Sequence, residues 1–341
     1  MSIFGDVSIL LMLSIILIVG VKRIESDKEQ ILTRLNAFRG WIAIVIIVGH
    51  VVADYSSSIL TTVLSRTQFI LVAFFFFVSS YGLTKSFYKK DHYLSSFLVK
   101  KIVYLVTLAF ISYLIYCVLD VFVADISGYI PNSVKEFPKT FWISTNWYMW
   151  ELLIWYVIFY ISFRLSDHKK RVVMAWMLSI GAAVCFYALN GEPCWYASVI
   201  TFPLGISLFM NENRLLKFFK NIRGYICLVI LLCVGMMALL FPNTNIIGGM
   251  LRNVMCLAVM LVIILIGSKV EIGNPVIRVL NKISAELYLM QFPFLIMTRE
   301  YDNWLIRMVI VLVCTFLAAG ILHILNLNVK RLLERIIEKD E

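Results

Sequence analysis

An arginine at position 39 and a histidine at position 50 bracket the apolar run from Trp41 to Val48, with no other ionisable side chain between them. Their separation of eleven residues makes three helical turns plus about 20°, so on a helix the two side chains share one face. At about 1.5 Å per residue they stand roughly 16 Å apart along the axis, which sets Arg39 at a membrane edge and His50 near the middle of a bilayer. An imidazole at that depth is costly unless it faces a cavity, a relay or a partner, and it is able to act as a general base. Asp54 lies one turn beyond, the i, i+4 spacing at which a carboxylate holds one ring nitrogen and leaves the other free. A packing histidine beside an outer-edge aspartate is the plainer reading of the same pair.

Further polar groups interrupt apolar sequence, where each needs an internal partner once water is absent. In Asn146-Trp147-Tyr148-Met149-Trp150-Glu151 the rings fit an interfacial aromatic belt, but the belt does not explain Glu151, which leads into the apolar run Leu152 to Ile161. Ser79, Ser80 and Tyr81, followed by Gly82, are also what close helix packing through small residues would use. Ser284, Glu286, Tyr288 and Gln291 alternate ahead of Phe292-Pro293, and Glu286 is near enough to a segment end to snorkel to the surface. Lys85, Lys89, Lys90, Lys100 and Lys101 form either an anion-binding rim or a plain topogenic loop.

The elements that must hold these residues follow from composition. With 61% hydrophobic and 15% charged residues and a mean hydropathy of +0.88, the chain is not a soluble domain. Segments of about 20 apolar residues occur at roughly 3–21, 38–54, 69–84, 102–124, 146–163, 172–190, 195–210, 224–241, 250–268, 283–298 and 304–326. The Lys and Arg content of the connections alternates: five in 22–39, five in 85–101, four in 164–171, four in 211–223, three in 269–282 and four from Lys330 onward. The intervening connections hold Arg66, then Lys135 and Lys139, then none in 191–194 or 242–249, with Arg252 and Arg299 at segment edges. Basic residues accumulate on the cytoplasmic side, so the expectation is an all-α polytopic protein of about eleven transmembrane helices, N-outside and C-inside.

This pattern excludes several classes. The net charge of +10 is dispersed over many loops and reads as topology, not as a nucleic-acid face. The seven cysteines form no CxxC pair, so neither a zinc site nor a disulfide framework is indicated, and no metal is expected. No HExxH, P-loop or nucleophile-elbow pattern occurs. The first segment lacks a basic leader and a small-residue cleavage pattern and reads as a retained anchor, so the expected organisation is an anchor with its connection over 1–34 and a core over 35–341.

Taken together, Arg39 with His50, the stretch Phe76-Phe77-Val78-Ser79-Ser80-Tyr81-Gly82-Leu83, Trp147-Tyr148, and Ile283-Ser284-Ala285-Glu286-Leu287-Tyr288-Leu289-Met290-Gln291-Phe292-Pro293 resemble the acyltransferase-3 family. That family of membrane-bound acyl transferases includes bacterial O-acetyltransferases of cell-surface polysaccharides. The resemblance runs from about residue 33 to 327, and the family's ten-helix core would match all segments but the first. The chain departs from the family where Lys100-Lys101 stand in place of Arg-x-x-Arg and proline, where Ser80 replaces a usual glycine, and where Gln291 replaces a common histidine.

The resemblance implies transfer of an acyl group, often acetyl, from acyl-CoA to a hydroxyl of a lipid-linked or exported glycan, at a bacterial cytoplasmic membrane. Acyl-CoA would be a co-substrate with no tightly bound cofactor. Arg39, with Lys85, Lys100, Lys101, Trp147 and Tyr148, would contact the donor. His50, with Asp54 and Glu151, would carry the chemistry, and Ser79, Ser80, Tyr81, Glu286, Tyr288 and Gln291 would meet the acceptor. The expected partners are acyl-CoA, a glycan or glycolipid and the bilayer, with no nucleic acid, and with a second copy of the chain left open. A transporter or exporter of a glycan or lipid, using His50, Asp54 and Glu151 as a proton or substrate path, is the alternative from a different class.

Overall fold

A computed structural model describes residues 3–23, 31–55, 59–122, 135–144, 147–167, 170–189, 191, 193–219, 221–241 and 245–337. Lys28, Asn146, Lys169, Lys220 and Lys339, counted or singled out above, lie outside them. The chain is built from helices α1 (Ile3–Ile18), α2 (Ile31–Ala53), α3 (Ile59–Lys89), α4 (Phe97–Phe122), α5 (Phe137–Ser144), α6 (Trp147–Arg164) and α7 (Lys170–Ala188). It continues with α8 (Thr201–Phe219), α9 (Ile222–Met236), α10 (Ile246–Gly267), α11 (Pro275–Lys282), α12 (Ser284–Met297) and α13 (Trp304–Ile337).

Every expected apolar segment falls on a helix, but their lengths divide into two groups. Among the described residues seven helices are long and apolar enough to cross a membrane: α2, α3, α4, α7, α9 with its continuation to Leu240, α10 and α13. The other four, α1, α6, α8 and α12, are shorter or more polar, at 16, 18, 19 and 14 residues. The chain is therefore a predominantly helical polytopic membrane protein. For α12 the reason is a break: Ile283, at φ −112 and ψ 17, parts it from α11, and 14 residues at about 1.5 Å each reach only about 21 Å of a ~30 Å hydrocarbon core. Asn211, at φ −129 and ψ 20, interrupts α8 in the same way.

Two short features depart from a purely helical reading. Strands β1 (Val21–Arg23) and β2 (Val270–Ile272) pair antiparallel, Val21 opposite Ile272, and tie the end of α1 to the connection after α10. The 125–145 connection contains α5, whose Phe137 and Phe141 rings each lie 5.6 Å from Tyr113 on α4. At three and eight residues, these elements carry too little periodicity to be read from sequence.

The arrangement is centred on α2. Of its most apolar stretch 72% is buried inside the protein, against 11% for α7, so α2 is the central helix and α7 faces lipid. Between apolar helices in lipid, close packing replaces the hydrophobic effect as the source of association. A Cβ at Gly40 would stand 2.6 Å from the Asn281 backbone nitrogen, and the Gly40 N–H donates to Asn281 Oδ1 at 2.8 Å, so the α11–α12 break presses directly on α2 beside Arg39. Gly205 on α8 likewise receives Ser80 and the Phe77 carbonyl of α3. At the end of α1, Gly20 adopts φ +83, a left-handed helix stop, and the Asn274 side chain donates to the free carbonyls of Ile16 and Val19 at 2.8 Å each. The same Asn274 accepts from the Ile277 N–H at 2.8 Å and so caps α11, which begins on Pro275.

Candidate functional site

A cavity of about 360 Å³ opens between α2, α3, α4, α6 and the start of α12. Each helix contributes one face at helical spacing: Asn36 and Arg39 from α2, Phe75, Ser79, Gly82 and Ser86 from α3, Lys101, Tyr104 and Leu108 from α4, and Tyr148, Leu152 and Tyr156 from α6. Ala285 closes the side toward α12. The Arg39 guanidinium lies 5.9 Å from the centre of the Phe75 ring, and the Lys101 ammonium lies 5.4 Å from that of Tyr156. No aspartate or glutamate lines the cavity. Among the described residues neither cation forms an ion pair or a hydrogen bond. Tyr93, in the connection before α4, completes the wall, and burial holds its phenol above the ordinary range, so it stands as an O–H donor. Two unpaired cations among phenols and serines form a pocket suited to an anionic ligand with further polar groups.

Of the residues expected from sequence, the structure brings Arg39, Ser79, Lys101 and Tyr148 to this cavity. Tyr288 stands just behind it, its ring 5.1 Å from Tyr148 and 6.4 Å from Phe75. His50 lies further along α2, outside the lining, with its ring 5.5 Å from Phe292 of α12. Among the described residues it makes no hydrogen bond.

The other expected residues lie outside this lining. Asp54 does not hold His50; its Oδ2 accepts from Arg307 at 2.8 Å, and that side chain is 1% exposed and also donates to the Leu295 carbonyl at 3.0 Å. A desolvated guanidinium demands an anion, and Asp54 supplies it across 253 residues of sequence. Glu151 is fully buried and is not among the residues that line the cavity. Ser80 bonds the Phe77 carbonyl at 2.9 Å and packs against Gly205, and Tyr81 donates to Glu212 at 2.7 Å, so both join α3 to α8 away from the cavity. Glu286 does not snorkel; its Oε1 lies 2.8 Å from His323 Nδ1 and it is 3% exposed. Gln291 is buried, its amide donating to the Tyr288 carbonyl at 3.0 Å. Lys85 is half-buried, Lys100 is exposed, and Trp147 packs 6.3 Å from Trp195; none of the three lines the cavity.

Asn36, Ser86, Tyr93, Tyr104 and Tyr156 are cavity residues that sequence reading missed. Helical spacing carried a signal for three of them: Asn36 is three residues before Arg39, Tyr104 three after Lys101, and Tyr156 eight after Tyr148. Arg307 was equally legible as a charge inside an apolar segment.

No curated protein and no solved structure matches the chain. The acyltransferase domain of the acyltransferase-3 family matches residues 32–324, which covers α2 through most of α13 and every residue of the cavity. The chain belongs to the acyltransferase-3 family of membrane acyltransferases.

Proposed function

We propose that the protein transfers an acyl group, acetyl in the simplest case, from acyl-CoA to a hydroxyl of a cell-surface or lipid-linked glycan. The observation that carries this reading is the cavity that Arg39 and Lys101 both line, where among the described residues neither forms an ion pair and no carboxylate is present. A CoA donor presents phosphates, which a guanidinium fork meets in matching geometry and an ammonium meets as a point charge. The phenols and serines around them offer hydrogen bonds to the rest of the donor, and the extended pantetheine arm carries the thioester along α2 toward His50. There the acceptor oxygen attacks the thioester carbonyl while a His50 ring nitrogen takes its proton. The carbon–sulfur bond breaks, CoA leaves as a thiolate, and the proton returns to it from the imidazolium.

Membrane orientation belongs to the same proposal. The basic connections, including Lys85 to Lys101, face the cytoplasm where acyl-CoA is found, the first helix is an anchor, and eleven segments give N-outside and C-inside. The setting proposed is a bacterial cytoplasmic membrane. The path alternative through His50, Asp54 and Glu151 draws less support, because Asp54 pairs with Arg307.

The test is transfer of labelled acetyl from acetyl-CoA to endogenous glycan in membranes holding wild type, His50→Ala or Arg39→Ala at matched amounts. Label in wild type, its loss in His50→Ala and, at acetyl-CoA below KM, its fall by roughly tenfold in Arg39→Ala are expected. Absence of label in wild type, together with an export defect in His50→Ala cells, overturns the reading in favour of the transporter.

A further inference from the structure

Helix α13 packs against both α4 and α12, and two of its polar side chains reach toward the wall of the donor cavity. His323 and Asn326 are three residues apart and so share one face of α13. His323 Nδ1 lies 2.8 Å from Glu286 Oε1, and Asn326 shares a hydrogen bond with the phenol of Tyr104 on α4. Glu286 sits in the first turn of α12 beside Ala285, and both Ala285 and Tyr104 line the cavity. A group of four polar side chains thus stands just behind the wall that Arg39 and Lys101 share.

The carboxylate in this group has the wrong sign for the cavity it backs. Glu286 is buried, and a carboxylate so desolvated is costly unless a hydrogen-bonded cation meets it. The Tyr104 phenol lies within electrostatic reach of both the Glu286 carboxylate and the Arg39 guanidinium, so the charge on Glu286 is felt at the anion site. Charges buried in this way are poorly screened. An imidazolium at His323 cancels it, and the pair adds no net charge behind the cavity. Left alone, the carboxylate would oppose every phosphate that Arg39 and Lys101 attract. A pair that only fastens α12 to α13 would make the same contact, but its charge would have no effect on a neighbouring anion.

We propose that His323 is a positioning residue for the donor. It holds and neutralises the Glu286 carboxylate behind the cavity wall, and so keeps the Arg39–Lys101 site cationic for the phosphates of acyl-CoA. It touches no donor atom itself, and its role rests on the reading of this cavity as the donor site.

Binding of CoA to the detergent-purified full chain, followed by isothermal titration calorimetry, tests it. In His323→Ala the orphaned carboxylate is expected to weaken CoA binding about tenfold, the size of a coupling between neighbouring groups. Glu286→Gln removes the charge and is expected to bind CoA at least as well as wild type. The double variant, with neither charge, is expected to return to within about threefold of wild type, because it lacks the carboxylate that His323 offsets. A double variant as poor as His323→Ala, or poorer, is the pattern of a merely structural pair and overturns the proposal. So does CoA affinity unchanged in His323→Ala. Where His323→Ala does not accumulate, His323→Gln keeps a hydrogen-bond donor without the charge and carries the same prediction. Arg39→Ala in the same assay separates the two readings. CoA bound by wild type and weakened in Arg39→Ala, with His323→Ala unaffected, overturns the role of His323 alone; no CoA bound by wild type overturns the donor site and that role together.

Discussion

Replacing Arg39 by alanine removes the one guanidinium that faces the donor cavity, and the structure sets the size of the effect. Among the described residues Arg39 forms no ion pair or hydrogen bond, its one described contact being the Phe75 ring at 5.9 Å, so its donors face the cavity. A hydrogen bond to a charged group contributes about 1.5–3 kcal/mol, and the half-buried position of Arg39 points to the lower part of that range. At about 1.4 kcal/mol per factor of ten, Arg39→Ala is expected to raise KM for acyl-CoA roughly tenfold. Because the contact is distant from His50, kcat should change far less, the signature of lost binding that is common to ground and transition states. Arg39→Lys keeps the charge but loses the planar fork, so it should fall between the two. Steady-state transfer at varied acyl-CoA, in membranes of matched protein content, separates these quantities. A collapse of kcat with KM unchanged would place Arg39 at the chemistry and refute the donor assignment; no change in either would remove the cavity from the reaction.

Three other substitutions test the packing and the corrected roles. Asp54→Ala leaves the buried Arg307 without its anion; since Asp54 is 45% exposed, the loss should be about 1–2 kcal/mol, below the ~3–5 kcal/mol of a fully buried pair, and an unchanged melting temperature in detergent would contradict the pairing. Gly40→Ala drives a methyl into the Asn281 backbone and should cost about 1–3 kcal/mol by overpacking, visible as a lower melting temperature and a weaker hold on the α11–α12 break. Glu151→Gln keeps the shape of a side chain that is not among those lining the cavity, so transfer should persist; a loss beyond about tenfold, or ~1.4 kcal/mol, would return Glu151 to the chemistry.

The residues that were legible in the sequence are those whose meaning depends on their own helix. Arg39 and Lys101 stand out as basic groups at the ends of apolar segments, and Tyr148 opens another, so the cavity wall was partly visible. Partners across helices were not. The i, i+4 rule proposes Asp54 for His50 because it sees only one helix, whereas Arg307 reaches Asp54 from a helix 253 residues away. Glu286 finds His323, Tyr81 finds Glu212 and Ser80 finds Gly205 in the same manner. Hydropathy located the eleven longer apolar helices but not their lengths, because the break at Ile283 leaves the apolar pattern of 283–298 intact while shortening the helix that carries it.

The most direct test is a structure of the protein with a non-hydrolysable acyl-CoA analogue bound in lipid. The account predicts phosphate density against Arg39 and Lys101, the pantetheine arm running along α2, and the acyl carbonyl directed toward His50. Density for the analogue elsewhere, with the Arg39 cavity empty, would contradict it.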